Sequence, residues 1–298
     1  MPYYTILGFT KEPFSTSPDP AFFYLTKEHD MALTNILIEI RLKRGLSVIF
    51  GDIGTGKTSL SRMLIQELNK RDNMFFHVIL NPVFESEEQY LRTLIMNYDV
   101  SKHLGVDLAD ANIVTLRDAF EHFLIKKTVE EKKTVILIID EAQKLDMATL
   151  ETLRIFLNFE TNEFKLIQLV LLGQVELYPK LVSMPNFMDR VSFKYTLNPL
   201  DAKETKELIH YRIKQAGYNS RMELFSDDSM GEIYNYTHGY PRKITKLCHQ
   251  ILKELILQNK QVIDRPLVLD VIQKEEQFHI HGLDPKWQTK SFTGHNQF

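Results

Sequence analysis

The chain has 298 residues, 44% of them hydrophobic and 11% aromatic, which supplies a packed core and excludes wholesale disorder. A net charge of -3 argues against a surface built throughout for nucleic acid, though it leaves room for a local basic patch. One cysteine, Cys248, excludes an internal disulfide, and no apolar run approaches the roughly 18–20 residues of a membrane-spanning helix.

Met1-Pro2-Tyr3-Tyr4 lacks a charged segment followed by a long apolar one, so no secretory signal is visible and a cytoplasmic protein is expected. Residues 1–25 are dense in prolines and aromatics, among them Phe9, Phe14, Phe22 and Phe23. Prolines at this density forbid a long helix, and the rings need a surface to pack on. The expectation is an ordered arm lying across a nucleotide-binding domain that spans residues 26–200. Leu33, Ile36, Leu37 and Ile40 then predict a helix over 27–43. Strands are predicted at 46–50, 75–80, 135–139, 166–172 and 191–196, with helices near 58–70, 87–97, 113–130 and 147–158. Short apolar strands alternating with amphipathic helices indicate a parallel α/β sheet covered on both faces. After Asn198-Pro199-Leu200 the strands stop, and helical periods at 202–216, 226–236, 241–258 and 266–276 mark an all-helical subdomain over 201–276. Residues 277–298 have no period and are expected to be a flexible tail. His279 and His281 within it lack the Cys or carboxylate partners of a metal site.

The first chemical signal is Gly51-Asp52-Ile53-Gly54-Thr55-Gly56-Lys57-Thr58, a complete G-x-x-x-x-G-K-[ST] loop between a predicted strand and the helix that Ser59 opens into. Its glycines let backbone N–H groups turn around phosphate oxygens, and the helix N-terminus adds its dipole. Lys57 is expected to reach the β- and γ-phosphates of ATP and Thr58 to ligate Mg2+. The second signal is an apolar strand ending in Asp140-Glu141. Asp140 falls where Mg2+ must be held, and Glu141, one position on, suits a general base for the attacking water. That pair favours hydrolysis over transfer to a bound hydroxyl.

Three more polar residues fall where a ring-forming ATPase needs them. Gln174 follows the fourth strand, expected between the strands bearing the two motifs, and could reach the γ-phosphate or the water. Arg190, just before the fifth strand, could project into a neighbouring subunit's nucleotide as an arginine finger, a role for which Arg154 is a weaker candidate. Arg242 opens a helix after Gly239-Tyr240-Pro241 and could fold over the γ-phosphate.

These segments resemble AAA+ ATPases of the ExeA type, the general secretion pathway protein A family, with its MshM-like pilus relatives. The resemblance runs from about Tyr4 to Glu276. Besides the two motifs it includes Phe9–Ser15, Ala142-Gln143, Leu153–Thr161, Leu171–Leu177, Tyr211–Gly217 and Gly239–Arg242. It implies a P-loop AAA+ core with a helical lid, forming rings or filaments with nucleotide at subunit boundaries. Lys57, Thr58, Asp140, Glu141, Gln174, Arg190 and Arg242 then carry the Walker A, Walker B, sensor 1, finger and sensor 2 roles. Secretion-type members continue into a membrane span and a peptidoglycan-binding domain, neither of which is read here. Short ATPases of the TniB and TnsC type, which coat DNA and recruit a transposase, suit that pattern. Three roles stay open: an assembly factor for a secretion or pilus machine, a regulator of transposition on double-stranded DNA, and a low-turnover scaffold. Arg41, Lys43, Arg44, Lys126, Lys127, Lys132 and Lys133 are the candidates for a basic face on DNA.

Overall fold

The computed structural model describes residues 2–15, 19–219 and 222–282. The chain divides into two compact units, Leu25–Asn198 and a second assembled from Met1–Tyr24 and Pro199–Phe298. It begins with α1 (Tyr3–Ile6), α2 (Lys27–Leu42), β1 (Leu46–Gly51), α3 (Lys57–Asn69) and β2 (Met74–Ile79). There follow α4 (Glu87–Asn97), α5 (Val100–Leu104), α6 (Ile113–Ile125), β3 (Thr134–Ile139) and α7 (Met147–Phe156). β4 (Ile167–Gly173), α8 (Leu177–Val182), α9 (Pro185–Met188) and β5 (Val191–Leu197) complete the first unit. The second adds α10 (Ala202–Gln215), α11 (Asp227–Thr237), α12 (Pro241–Leu257) and α13 (Arg265–Gly282).

Among the described residues the first unit holds one parallel sheet of order β2-β3-β4-β1-β5. β4 lies between the two motif strands, where the sequence reading put it. β1, β3 and β4 are buried along their whole length because helices cover both faces, so their sequences run apolar without alternation. In β3, Val135, Leu137 and Ile139 enter one core with α4, α6 and α7, while Ile136 and Ile138 enter the other with α2 and α3. Each such aliphatic contributes about 1.5–3 kcal/mol of burial. β5, at an edge, alternates exposed Ser192 and Lys194 with half-buried neighbours. Side-chain caps at Thr26, Ser86, Asn112 and Asp146 start α2, α4, α6 and α7.

The predicted helix over 113–130 ends in a π-helical turn, Lys126–Glu130. That wider turn folds Lys127 inward: it is 3% exposed, bonds Glu131 at 2.7 Å and lies 5.2 Å from the Phe75 ring centroid. Lys126 donates to the carbonyl of His103. Two of the seven residues expected on a basic face are therefore held by the fold.

The second unit corrects the placement of the arm. Phe9, Phe14 and Phe22 are buried with Leu208, Ile209, Ile244, Leu247 and Ile251, so the arm, expected to pack on the nucleotide domain, forms part of the helical core. Aromatic content announced the need for cover but not which surface supplies it. Arg212 fastens the arm, donating to the carbonyls of Pro13 (2.8 Å) and Ser15 (2.9 Å) and to the Thr245 hydroxyl (3.2 Å). Gly239, at φ +75°, packs against the same unit's Leu200, whose carbonyl oxygen a Cβ there would meet at 1.8 Å. Cys248 is buried as a small apolar side chain of α12. α13 continues to Gly282, past the predicted end at Glu276, so 277–282 are helical where a tail was expected. Trp287 and the rest of that tail lie outside the described residues, as do the His279 and His281 side chains.

Candidate functional site

β1 leaves the sheet into the loop Asp52–Gly56, and α3 starts at Lys57. Thr55 folds its hydroxyl onto the Asp52 carbonyl at 2.9 Å. Gly56 caps α3 at φ +102°, a conformation costly for any residue with a Cβ. A Cβ there would sit 2.6 Å from Nε2 of His29. His29, 2% exposed on the first turn of α2, hydrogen-bonds the Thr55 carbonyl at 3.1 Å through that nitrogen and the Thr26 hydroxyl at 2.6 Å through Nδ1. Burial lowers its pKa below 6.5, so the ring is held neutral. Sequence reasoning missed this residue; a lone histidine 26 positions before Thr55 gives no spacing signal.

Lys57 is 5% exposed, and its ammonium donates to the carbonyls of Gly51 (2.7 Å) and Asp52 (2.9 Å). Burial draws its pKa down, against the opposing pull of Glu141, Asp140 and Asp52. Asp140 is 2% exposed at the end of β3 and its pKa is raised by desolvation. Its carboxylate accepts the Thr58 hydroxyl and the Glu141 N–H, the latter at 2.9 Å. Thr58 and Asp140 thus offer a hydroxyl and a buried carboxylate, an all-oxygen donor set that suits a hard cation such as Mg2+.

Glu141 adopts a left-handed conformation, φ 55°, of the kind that costs about 1–2 kcal/mol in a non-glycine residue. That backbone carries its side chain to Gln143, whose Nε2 donates to Oε2 at 2.8 Å. Gln174 follows β4, and its backbone N–H donates to Oε1 of Gln143 at 3.0 Å. The registers Phe50 opposite Gly173 and Ile139 opposite Leu171 bring Lys57, Thr58, Asp140, Glu141 and Gln174 to the carboxyl edge of the sheet.

Arg190 is not among them. β5 starts opposite Leu46, the first residue of β1, so Arg190 lies at the amino edge, about 20 Å of strand from its own loop. Its Nε is buried without a hydrogen-bond partner among the described residues. Arg154 is engaged by Glu151 at 2.6 Å. Arg242 is exposed on the first turn of α12 in the helical unit.

Residues 40–181 match the AAA domain family. General secretion pathway protein A of Aeromonas hydrophila is 31% identical over 252 residues, covering 84% of this chain and 44% of the relative. The chain thus spans less than half the length of that relative. Among solved structures, the Aeropyrum pernix ORC2 protein in its ADPNP-ADP complexes superposes with a TM-score of 0.63 at 13% identity, over 88% of this chain and 71% of that one. The Thermotoga maritima RuvB Holliday junction branch migration motor gives 0.54 at 16%, over 85% and 72%. Those likenesses are of fold, and that fold is the P-loop AAA+ one.

Proposed function

From a chain that carries an AAA domain and is related over most of its length to general secretion pathway protein A, we propose an oligomeric ATPase that controls the assembly of a partner machine. The observation that carries it is the convergence of Lys57, Thr58, Asp140 and Glu141 on one sheet edge, with Thr58 already bonded to the buried Asp140 carboxylate. In this proposal the loop from Gly51 to Ser59 cradles the phosphates of ATP, with Lys57 on the β- and γ-phosphates. Thr58 and Asp140 hold Mg2+, which when bound neutralises charge on the phosphate oxygens. Glu141 takes the proton of the attacking water, and Gln174 orients at the γ-phosphate. Arg190 acts on the nucleotide of a neighbouring copy in a ring or filament, since its own loop is at the far edge. Arg242 reports the γ-phosphate to the helical unit. A cytoplasmic setting fits this role; among the described residues no helix is long and apolar enough to cross a membrane.

A coat on double-stranded DNA is the weaker reading. Lys126 and Lys127 are taken up by the fold, Arg44 lies 3.7 Å from Glu39, and Lys43 sits over the Phe164 ring. Few of the seven cations remain unengaged for phosphate contacts.

ATP hydrolysis measured at several protein concentrations, with and without DNA at fixed salt, tests both readings. Turnover that rises with concentration and ignores DNA is expected. Strong stimulation by DNA would overturn the assembly role in favour of the transposition type. Lys57→Ala should abolish nucleotide binding, and Glu141→Gln should bind but not turn over. Normal hydrolysis by Glu141→Gln would remove Glu141 as the base.

A further inference from the structure

One side chain that the ATPase proposal leaves without a role joins the turn after β3 to the turn after β4. Gln143 works at both ends of its amide, donating to Glu141 at 2.8 Å and accepting the Gln174 N–H at 3.0 Å. The second bond dictates the first. A backbone N–H can only donate, so the amide oxygen must face Gln174; the nitrogen is left for a carboxylate that, ionised, can only accept. Lys180 on α8 closes the bracket by donating to the carbonyls of Gln143 (2.7 Å) and Leu145 (2.9 Å). The 3-10 turn Ala142–Lys144 is therefore tied to the segment after β4 through Gln143 and through Lys180. Lys144 also lies 3.9 Å from the same Glu141 oxygen, but its ammonium is exposed and bonds Asn81 at 3.0 Å. It adds charge there without fixing direction.

We propose that Gln143 is a positioning residue: it sets the direction of the Glu141 carboxylate and couples it to the backbone at Gln174. A displacement of the turn after β4 is then felt at the group that activates water. This deepens the ATPase proposal and rests on the role given there to Glu141. The neutral planar carboxamide of glutamine offers a donor and an acceptor side by side, one for the carboxylate and one for the N–H. Glutamate at 143 would set a second carboxylate against Glu141, and alanine would remove both bonds.

The link is tested first without turnover, by hydrogen exchange of the Gln174 amide in the full chain. Gln143→Ala should speed that exchange by about tenfold or more, since its acceptor is gone. Glu141→Ala should also speed it by releasing the far end of the Gln143 side chain, yet add nothing in the Gln143→Ala background. Unchanged exchange in Gln143→Ala, or fully additive effects of the two substitutions, would overturn the coupling. The second readout is kinetic. Gln143→Ala should lower kcat about tenfold or more while nucleotide Kd stays within about twofold. A loss that appears in Kd instead, or an unchanged kcat, assigns Gln143 a merely structural part. Should the wild-type protein not hydrolyse ATP at all, the ATPase proposal fails, while the exchange result still decides the link.

Discussion

Replacing Gly56 by alanine separates backbone strain from a specific clash within the phosphate loop. At φ +102°, an L-residue pays for the left-handed side of conformational space, about 1–2 kcal/mol. The new methyl would also lie 2.6 Å from Nε2 of His29, a ring that is 2% exposed and cannot swing into solvent. The ring must turn away and forfeit its 3.1 Å bond to the Thr55 carbonyl, leaving a buried polar group unmatched at about 1–3 kcal/mol. Together these come to about 2–5 kcal/mol. Because the loop reshapes more easily than the sheet beneath it, most of that cost should fall on nucleotide affinity. A weakening of about 30-fold to a few thousandfold is expected, at tenfold per 1.4 kcal/mol. Titration with a fluorescent ATP analogue measures it, and urea unfolding reports any share taken by global stability. Adding His29→Ala removes the obstacle, so the double variant should bind about tenfold better than the sum of the two single losses implies. Affinity within about threefold of wild type in Gly56→Ala, or strict additivity in the pair, would refute the reasoning.

Arg190→Ala should lose hydrolysis, and mixing it with Lys57→Ala should restore part of it, because each supplies the half-site the other lacks; mixtures no better than either variant alone would remove the role in trans. Arg212→Ala strips donors from the Pro13 and Ser15 carbonyls and should cost about 2–5 kcal/mol in urea unfolding, a loss below about 1 kcal/mol counting against the arm as part of the core. His29, His77 and His249 all sit below 6.5 because burial disfavours their charged form. The unfolded chain takes up those protons first, so stability should be full above about pH 7 and fall as pH drops through 6.5 toward the native values. A urea series across that window should show His29→Gln with a shallower slope; an unchanged slope would mean the ring is not held neutral.

The strands and the two acidic and glycine-rich motifs were legible because their signals are local. A run such as Val135–Ile139 is apolar at every position only when both faces are covered, and the phosphate loop is contiguous in sequence. The place of β4 between the two motif strands was legible too, since the loop and the carboxylate pair must meet across it, but the edge positions of β2 and β5 were not. α5, α8 and α9 escaped because helices of about one turn carry no period to read. The π-helical turn at Lys126–Glu130 escaped for another reason: a wider turn is composed of ordinary helix-forming residues, and only the inward path of Lys127 betrays it. His29 and Gln143 were invisible as site residues because each is defined by a partner far along the chain, Thr55 in one case and Gln174 in the other. Arg190 was correctly read as preceding β5, but its distance from the carboxyl edge follows only from the register with Leu46.

The helical unit is built from both sides of the polypeptide, so the nucleotide unit is an insert within it. The points of entry and departure are neighbours: Asn198 donates through its backbone N–H and its side-chain amide to Glu28, each at 3.2 Å, on the first turn of α2. An insert whose two ends touch can be excised on paper with a single short splice, leaving residues 25–198 as a fragment with adjacent termini. The converse cut is not available to the helical unit. A fragment starting near residue 200 would omit Phe9, Phe14 and Phe22 and leave the Arg212 guanidinium without two of its acceptors. Anyone preparing that unit alone must carry the first 24 residues along and stitch them to Pro199, because the chain wrote one domain in two instalments.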